Sequence, residues 1–443
     1  MEERKKHKET TINLINEYSK NEYPIEVNFR ELVNKNFQDR ATHIIHPYPA
    51  KLLSNIPYFF LNNDFFTSKG DNVLDPFSGS GTVMLESSLA GMNSFGSDAN
   101  PLARLISKVK TSSYDLKTLN KLKKSLIEEV NKHEGVEIFP DVVNIDYWFF
   151  PNVKRQLNSI LIAINGISSK KYKDFFLLCF SNCIKKVSLA DSRVSVPVKI
   201  KAERYPVGNP FRKKSEKKLD SLKTINVYNK FFEIVDSNIK RFENKKNISS
   251  YKCSSKIISD DARKLKLKDA SIDLIISSPP YAGAQKYIRA SSLNLGWTNL
   301  SKASELKTLD KKNIGRENYT KSEYITLKQT GILDADLLLK RIYEINPQRA
   351  HIAANYLIEM ESAIKESIRV LKPKKYLILV AANNKVCNLE FKTQDYLRQI
   401  AEKHGMKTEC RLIDDIKSYG LMTKRNKTAS IITCEWVLIM KKK

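Results

Sequence analysis

The sequence predicts an α/β protein built on a Rossmann-like, mostly parallel sheet, and three stretches carry that prediction. The first is Asn72–Asp75, a short strand running into the glycine-rich turn Pro76-Phe77-Ser78-Gly79-Ser80-Gly81-Thr82 and then a helix over Val83–Ala90. Gly91 stands where a helix can end in a left-handed residue. The second is Asn93–Asp98, a further strand, followed by a helix that Asn100 caps and Pro101 opens. The third is Ile272–Ile276, a short buried strand that stops at Ser277-Ser278-Pro279-Pro280-Tyr281. Two consecutive prolines remove two N–H donors and fix two φ angles, so neither strand nor helix continues through them. Strands alternating with helices in this manner build parallel sheets. Taken alone, the Pro-Pro knuckle is a strand stop beside a core tyrosine; its neighbours decide whether it is more.

The chain has 443 residues, enough for one large α/β domain with an insertion or for two or three domains. Its 76 Lys and Arg against 49 Asp and Glu leave a net charge of +27. A field of that sign points to nucleic acid first and anionic membrane surfaces second, with lysine-driven solubility as the bland alternative. The six cysteines form no CxxC pair and the histidines are scattered, so no metal site is expected. Cys179 and Cys183 fall in an apolar helical run and read as core. The first twenty or so residues are highly charged and carry no apolar signal core, and no apolar run reaches membrane-span length, roughly 18 residues. A cytoplasmic, reduced protein is the expectation.

Residues 1–39 read as a polar, charged leader with at most one amphipathic helix. Thr42–Lys51 contains His46-Pro47-Tyr48-Pro49-Ala50-Lys51, and an apolar helical segment follows over Leu52–Leu61. From residue 111 to 254 the strand–helix rhythm lapses for longer than any ordinary loop. Helices are expected at Lys154–Ile164 and Phe175–Val187, with Trp148, Phe149, Phe150 and Phe175 to supply a core. This is an inserted, mainly helical subdomain with a lysine-dense end at Arg212–Lys256. The sheet resumes at Ile257, leading to Asp260-Asp261. Beyond Tyr281, up to Asn346, the chain is polar and lysine-rich and reads as partly mobile. A helix over His351–Leu371, a turn at Lys372–Lys375 and a strand over Tyr376–Ala382 come next. A helix then ends near His404 at Gly405. Two antiparallel strands, Glu409–Ile413 and Ser430–Met440, close the chain around a basic turn.

Glycines after a strand let backbone approach a ligand, and the following helix start offers free N–H groups. A GxG turn alone is weak, since dinucleotide-binding enzymes use similar ones; the Asp-Pro-Phe prefix and the missing third glycine argue against those. Asp98, at the end of the next strand, is placed to accept from ribose hydroxyls, or else to cap the helix at Asn100. Asp261 is an acceptor for an adenine amine or a solvated acidic turn.

Asp75-Pro-Phe-Ser-Gly-Ser-Gly-Thr82, the acid in Gly96-Ser-Asp98-Ala99, Asp260-Asp261-Ala262-Arg and Ser277-Ser-Pro-Pro-Tyr281 resemble the S-adenosylmethionine-dependent amino-methyltransferases of DNA, the N4-cytosine and N6-adenine group. His46–Lys51 looks like that family's extra cofactor-side motif, though an extended lead-in is its plain alternative. The resemblance covers about residues 40–110 and 255–440. It implies a Rossmann-like methyltransferase fold: a mixed, mostly parallel seven-stranded sheet with a C-terminal antiparallel hairpin, its catalytic domain formed by 40–110 and 255–443. Residues 111–254 would then recognise the DNA target.

The resemblance further implies S-adenosylmethionine as cofactor. Gly79, Ser80 and Gly81 would hold its methionine part, Asp98 the ribose, Asp261 the adenine, and Tyr48 and Lys51 the carboxylate end. Asp75, Phe77, Thr82, Ala99 and Ala262 complete the cofactor set. Ser278, Pro279, Pro280 and Tyr281 would be catalytic: hydroxyl and carbonyl accept the amine hydrogens of a flipped base, and Tyr281 stacks on it. No cysteine nucleophile and no metal is needed. Arg193, Lys286 and Arg289 are the named candidates for contact with double-stranded DNA, with a buried Arg193–Asp191 ion pair as the alternative for the first. Serine at the head of the tetrad favours cytosine N4, while the motif order favours adenine N6. The expectation is cytosine N4, in the modification enzyme of a restriction-modification or related defence system with a cognate endonuclease as candidate partner. Lys374 and Lys375 replace the usual glycines of their turn. The rivals are an adenine-N6 enzyme, an RNA or protein-glutamine methyltransferase, and a non-catalytic nucleic-acid-binding subunit.

Overall fold

A computed structural model of the chain describes residues 2–37, 40–49, 51–249, 251–283, 286–415 and 433–443. The principal sheet contains β1 (Ile25–Val27), β2 (Asn72–Asp75), β3 (Asn93–Ser97), β4 (Ser255–Ser259), β5 (Ile272–Ser277), β6 (Leu371–Ala381), β9 (Met406–Asp415) and β10 (Cys434–Lys442). Their order is β1-β9-β10-β6-β5-β2-β3-β4. Only β10 runs antiparallel, to β6 and β9 alike; the other pairs are parallel. The central β5 is buried at all six positions, as expected for a parallel strand covered on both faces. From β2 the order proceeds outward to β3 and β4 on one side, and from β5 to β6 on the other. That reversal opens a crevice at the carboxyl ends of β2 and β5, the usual place for a ligand in such sheets. This is the Rossmann-like architecture with a C-terminal antiparallel pair.

Among the described residues the sheet has eight strands where seven were expected. The addition is the three-residue β1, and it comes from the stretch read as a leader. Residues 2–37 are built into the sheet: α1 (Glu2–Asn21) buries His7 and Thr11, and β1 pairs with β9. Asn28 caps α2 (Phe29–Leu32) by accepting from the Arg30 amide. Phe29 is fully buried and donates its N–H to Asp414 Oδ1 at 3.2 Å. Three residues are too few to display a period, so β1 left no signal in the sequence.

The helix α3 (Asn55–Leu61) is buried throughout. Next come α4 (Thr82–Leu89), ended by Gly91 at φ +88°, and α5 (Pro101–Thr111), capped by Asn100. Lys245 donates to the carbonyls of Lys110, Thr111 and Ser112, closing the end of α5. Between β3 and β4 stand α6 (Leu116–Lys132), α7 (Ile145–Trp148), α8 (Pro151–Asn165), α9 (Lys170–Val187), α10 (Pro210–Lys223) and α11 (Val227–Ile248). Their core includes Phe149, Phe175, Phe180 and Phe231 and extends without a break onto Leu102 and Ile106 of α5.

The region after Tyr281 corrects the expectation of a mobile segment. It folds into α12 (Tyr287–Trp297), α13 (Leu306–Lys311) and α14 (Leu333–Ile345) before α15 (Pro347–Val370). Trp297 is fully buried, its ring edge-on to Phe149 at 5.6 Å and Phe180 at 6.1 Å. The lysines that made the segment read as solvated are exposed; Lys307 and Lys311 lie on α13 and Lys340 on α14, and the others stand between the helices. The turn at Lys372–Lys375 is a bulge inside β6, with Lys374 at φ +61° where a glycine would sit without strain. A small hairpin, β7 (Asn384–Val386) with β8 (Leu389–Phe391), precedes α16 (Thr393–Lys403). The basic turn expected between the last two strands falls on 416–432, outside the described residues.

Phe29→Ala is expected to cost about 3–5 kcal/mol, the usual penalty for emptying a filled aromatic site. Lys20→Ala, on the exposed end of α1, should change stability by about 0.5 kcal/mol or less. Chemical denaturation midpoints of the two variants check this; equal, small shifts would mean that residues 2–37 are dispensable to the sheet.

Candidate active site

Asp75 closes β2, and the turn after it is held by its own backbone. Ser78 donates its N–H to Ser97 O at 2.9 Å, and Gly81 donates to Ser78 O at 2.6 Å. Gly81 lies at φ +73°, and a Cβ there would stand 2.9 Å from the Ser107 Cα on α5. Glycine is therefore required both by the backbone angle and by the close approach of α4 to α5. Gly79, at φ +49°, faces Tyr48, whose Cε1 would be 3.7 Å from an added Cβ.

Asp98 follows β3. Its Oδ2 accepts from the Gly79 N–H at 2.9 Å and its Oδ1 from the Asn100 N–H at 2.8 Å. Burial pushes its carboxyl up to about 6 despite these donors. Asp261, after β4, is gripped by Arg263 through Nε at 2.8 Å and Nη2 at 3.0 Å. At the end of β5, Ser277 Oγ donates to Asp75 Oδ1 at 2.5 Å, and the Phe77 N–H donates to the same oxygen at 3.1 Å. Burial raises the Asp75 carboxyl from its ordinary 3.8 to about 7.

These strand ends surround a cleft that is open to solvent. Tyr48, Phe77, Gly79, Asp98, Ala99, Asp261, Ala262, Ser278 and Pro280 border it, so segments far apart in sequence converge as expected. Pro76, Tyr287, Lys312, Asn313 and Ile314 border it too and were not anticipated. Pro76 lay inside a recognised motif, and Tyr287 had the signal of an aromatic just beyond the tetrad. The other three had none.

Several expected residues stand elsewhere. Asp75, Ser80, Gly81 and Thr82 do not border the cleft, and Asp75 clasps Ser277. Lys51 does not border the cleft: it is exposed, and its ammonium donates to His43 O at 3.1 Å beside the buried Glu86, which receives Arg40 at 3.2 Å and His43 at 2.5 Å. Desolvation lowers the Lys51 pKa there. Pro279 is buried and Tyr281 half-buried, and neither borders the cleft. Arg193 is paired with Asp191 through Nε at 2.9 Å and Nη2 at 2.6 Å, the alternative weighed for it, although the pair is exposed. Lys286 pairs with Glu317 at 3.1 Å, and Arg289 is exposed. Among the described residues no group of three metal-ligating side chains occurs, and no helix is long and apolar enough to cross a membrane.

The walls fit S-adenosylmethionine by their chemistry. A positive-φ glycine turn admits close backbone approach, Asp98 offers carboxylate lone pairs to a diol, and Ala262 and Ile314 supply an apolar wall for a purine.

No protein-family model matches the chain. It is 25% identical over 429 residues to the type II methyltransferase M.MvaI of Kocuria varians, spanning 90% of this chain and 91% of that one. It is 37% identical over 102 residues to the type II methyltransferase M.MjaII of Methanocaldococcus jannaschii, 23% of this chain and 18% of that one. Among solved structures, an rRNA methyltransferase of Streptomyces viridochromogenes superposes over 94% of this chain and 96% of its own at 9% identity, with a TM-score of 0.32. That likeness is too faint to bear on the site.

The raised Asp75 pKa has a consequence for stability. The folded state binds this proton more tightly than the unfolded chain, so the group's stabilisation is full below about pH 4 and is lost as pH rises through about 7. Asp75→Asn should flatten that part of the stability–pH profile. Melting temperatures from pH 4 to 8 for both proteins test it, and parallel curves would refute it.

Proposed function

We propose that this chain, a methyltransferase that uses S-adenosylmethionine, acts on double-stranded DNA and methylates the exocyclic amine of a flipped base, cytosine N4 in preference to adenine N6. The observation that carries the reading is that Ser278 and Pro280 border the same cleft as Gly79 and Asp98, at the switch point of the sheet. The relative similar along nine-tenths of both chains is a type II methyltransferase, and the charge of +27 suits a polyanionic substrate.

Bound in the cleft, the cofactor supplies a methyl group on a positively charged sulfur. Asp98 holds the ribose diol, and the Gly79 turn receives the amino-acid end. Asp261, already paired with Arg263, takes the adenine amine through a remaining lone pair. An exocyclic amine is a poor nucleophile because its lone pair is delocalised into the ring. Ser278 Oγ and the Pro279 carbonyl accept its two hydrogens and favour the pyramidal nitrogen that attacks. Transfer would form the N–C bond as the methyl leaves sulfur, with the surplus amine proton released to water. Pro280 fixes the knuckle, so the rate arises from alignment and preorganised acceptors. Tyr281 stacks on the base. Arg193, Lys286 and Arg289 are retained as DNA contacts that would exchange their carboxylate partners or water for phosphate. A cognate endonuclease is the partner this activity implies.

Incubating the protein with unmodified DNA and labelled S-adenosylmethionine, then analysing nucleosides by mass spectrometry, should place label in 4-methylcytosine. Label in 6-methyladenine would move the target atom, and label only in RNA or protein would sink the DNA reading. Ser278→Ala is expected to slow transfer roughly 100-fold with cofactor affinity unchanged.

A further inference from the structure

Tyr287 is the first residue of α12 and borders the cleft together with Tyr48. The two rings are nearly parallel, 17° apart in plane, with centroids separated by 6.3 Å. Tyr48 stands against the Gly79 turn. A single residue, Asn100, ties Tyr48 and the helix that carries Tyr287 to the acid of the site. Asn100 Nδ2 donates to the Tyr48 hydroxyl at 3.3 Å and to Ser291 Oγ of α12 at 3.0 Å, while its backbone N–H donates to Asp98 Oδ1 at 2.8 Å. Among the described residues bordering the cleft, the cation is Lys312, and it pairs with Asp260 at 3.1 Å. The Gly79–Asp98 end therefore has two aromatic faces and a carboxylate. Burial beside Asp98 keeps Tyr48 in its neutral phenol form.

That combination selects for positive charge, because the face of an aromatic ring carries negative potential and attracts a cation within roughly 6 Å of its centroid. We propose that Tyr48 and Tyr287 form a cation-recognising wall that binds the sulfonium of S-adenosylmethionine and discriminates against its neutral thioether product, S-adenosylhomocysteine. The inference rests on the cofactor reading given above. Its consequence is that the spent cofactor is held more weakly than the fresh one. Tyr287 is a positioning and specificity residue in this scheme, acting through the charge of the ligand and not through its shape.

Calorimetric titration of the full chain with each ligand, without DNA, tests it. Tyr287→Leu should weaken S-adenosylmethionine binding on the order of ten-fold, while the affinity for S-adenosylhomocysteine changes by less than about two-fold. Tyr287→Phe keeps the ring and should preserve the wild-type ratio. Equal loss of both ligands in Tyr287→Leu would show a role in shape alone and overturn the proposal, as would an unchanged ratio. Failure of the wild-type chain to bind either ligand would instead remove the cofactor reading on which the proposal stands.

Discussion

The buried hydrogen bond from Ser277 Oγ to Asp75 Oδ1, 2.5 Å long, is the interaction on which the site depends. β2 and β5 lie side by side in register, Val73 opposite Leu274 and Leu74 opposite Ile275, and then diverge. One chain leaves into the glycine turn and the other into the Pro-Pro knuckle. Without a link at the point of divergence, the spacing between turn and knuckle would rest on two loops. The bond places that link one residue before each functional stretch. Burying a carboxyl there is unfavourable, as its elevation to about 7 records. The Ser277 hydroxyl and Phe77 amide offset part of that cost by donating to the same oxygen.

A second hub sits at the end of β3. Asp98 accepts from the backbone on both sides, from Gly79 and from Asn100, so its carboxylate is fixed before any ligand arrives. Asn100 in turn caps α5 through Leu102 and reaches the Tyr48 hydroxyl and Ser291. A capping residue that sequence statistics explain fully by the needs of its helix therefore also locates three walls of the cleft.

What was legible in the sequence had punctuation or a period. The strand–turn–helix at Asp75–Leu89, the Asn100-Pro101 cap and the Ile272–Pro280 run each carry residues whose backbone chemistry allows few alternatives, and they fold as read. What was illegible had neither. β1 is too short to alternate, and α12, which buries Leu293, Leu295 and Trp297, is a short apolar run inside a stretch otherwise rich in lysine. Lys312, Asn313 and Ile314 reach the cleft because α13 folds back over it, a tertiary fact with no local trace. Asp75 and Lys51 do not border the cleft for a related reason. A motif fixes which residues accompany a site, but burial decides whether each faces the ligand or braces those that do.

The helix α12 makes the helical body and the cleft one mechanical unit. Its first residue, Tyr287, borders the cleft, and its last, Trp297, is enclosed by Phe149 and Phe180 in the core of the inserted helices. Along its length Asn294 donates to the carbonyl of Ser181 on α9 at 2.7 Å, and Ser291 receives Asn100. Displacing the helical body relative to the sheet would have to empty the Trp297 site, at about 3–5 kcal/mol, or carry α12 along. The second course costs less, because the α12 end at Tyr287 is only half-buried. A load taken up by the inserted helices therefore has a route through α12 to the aromatic wall of the cleft, beside the one through α5.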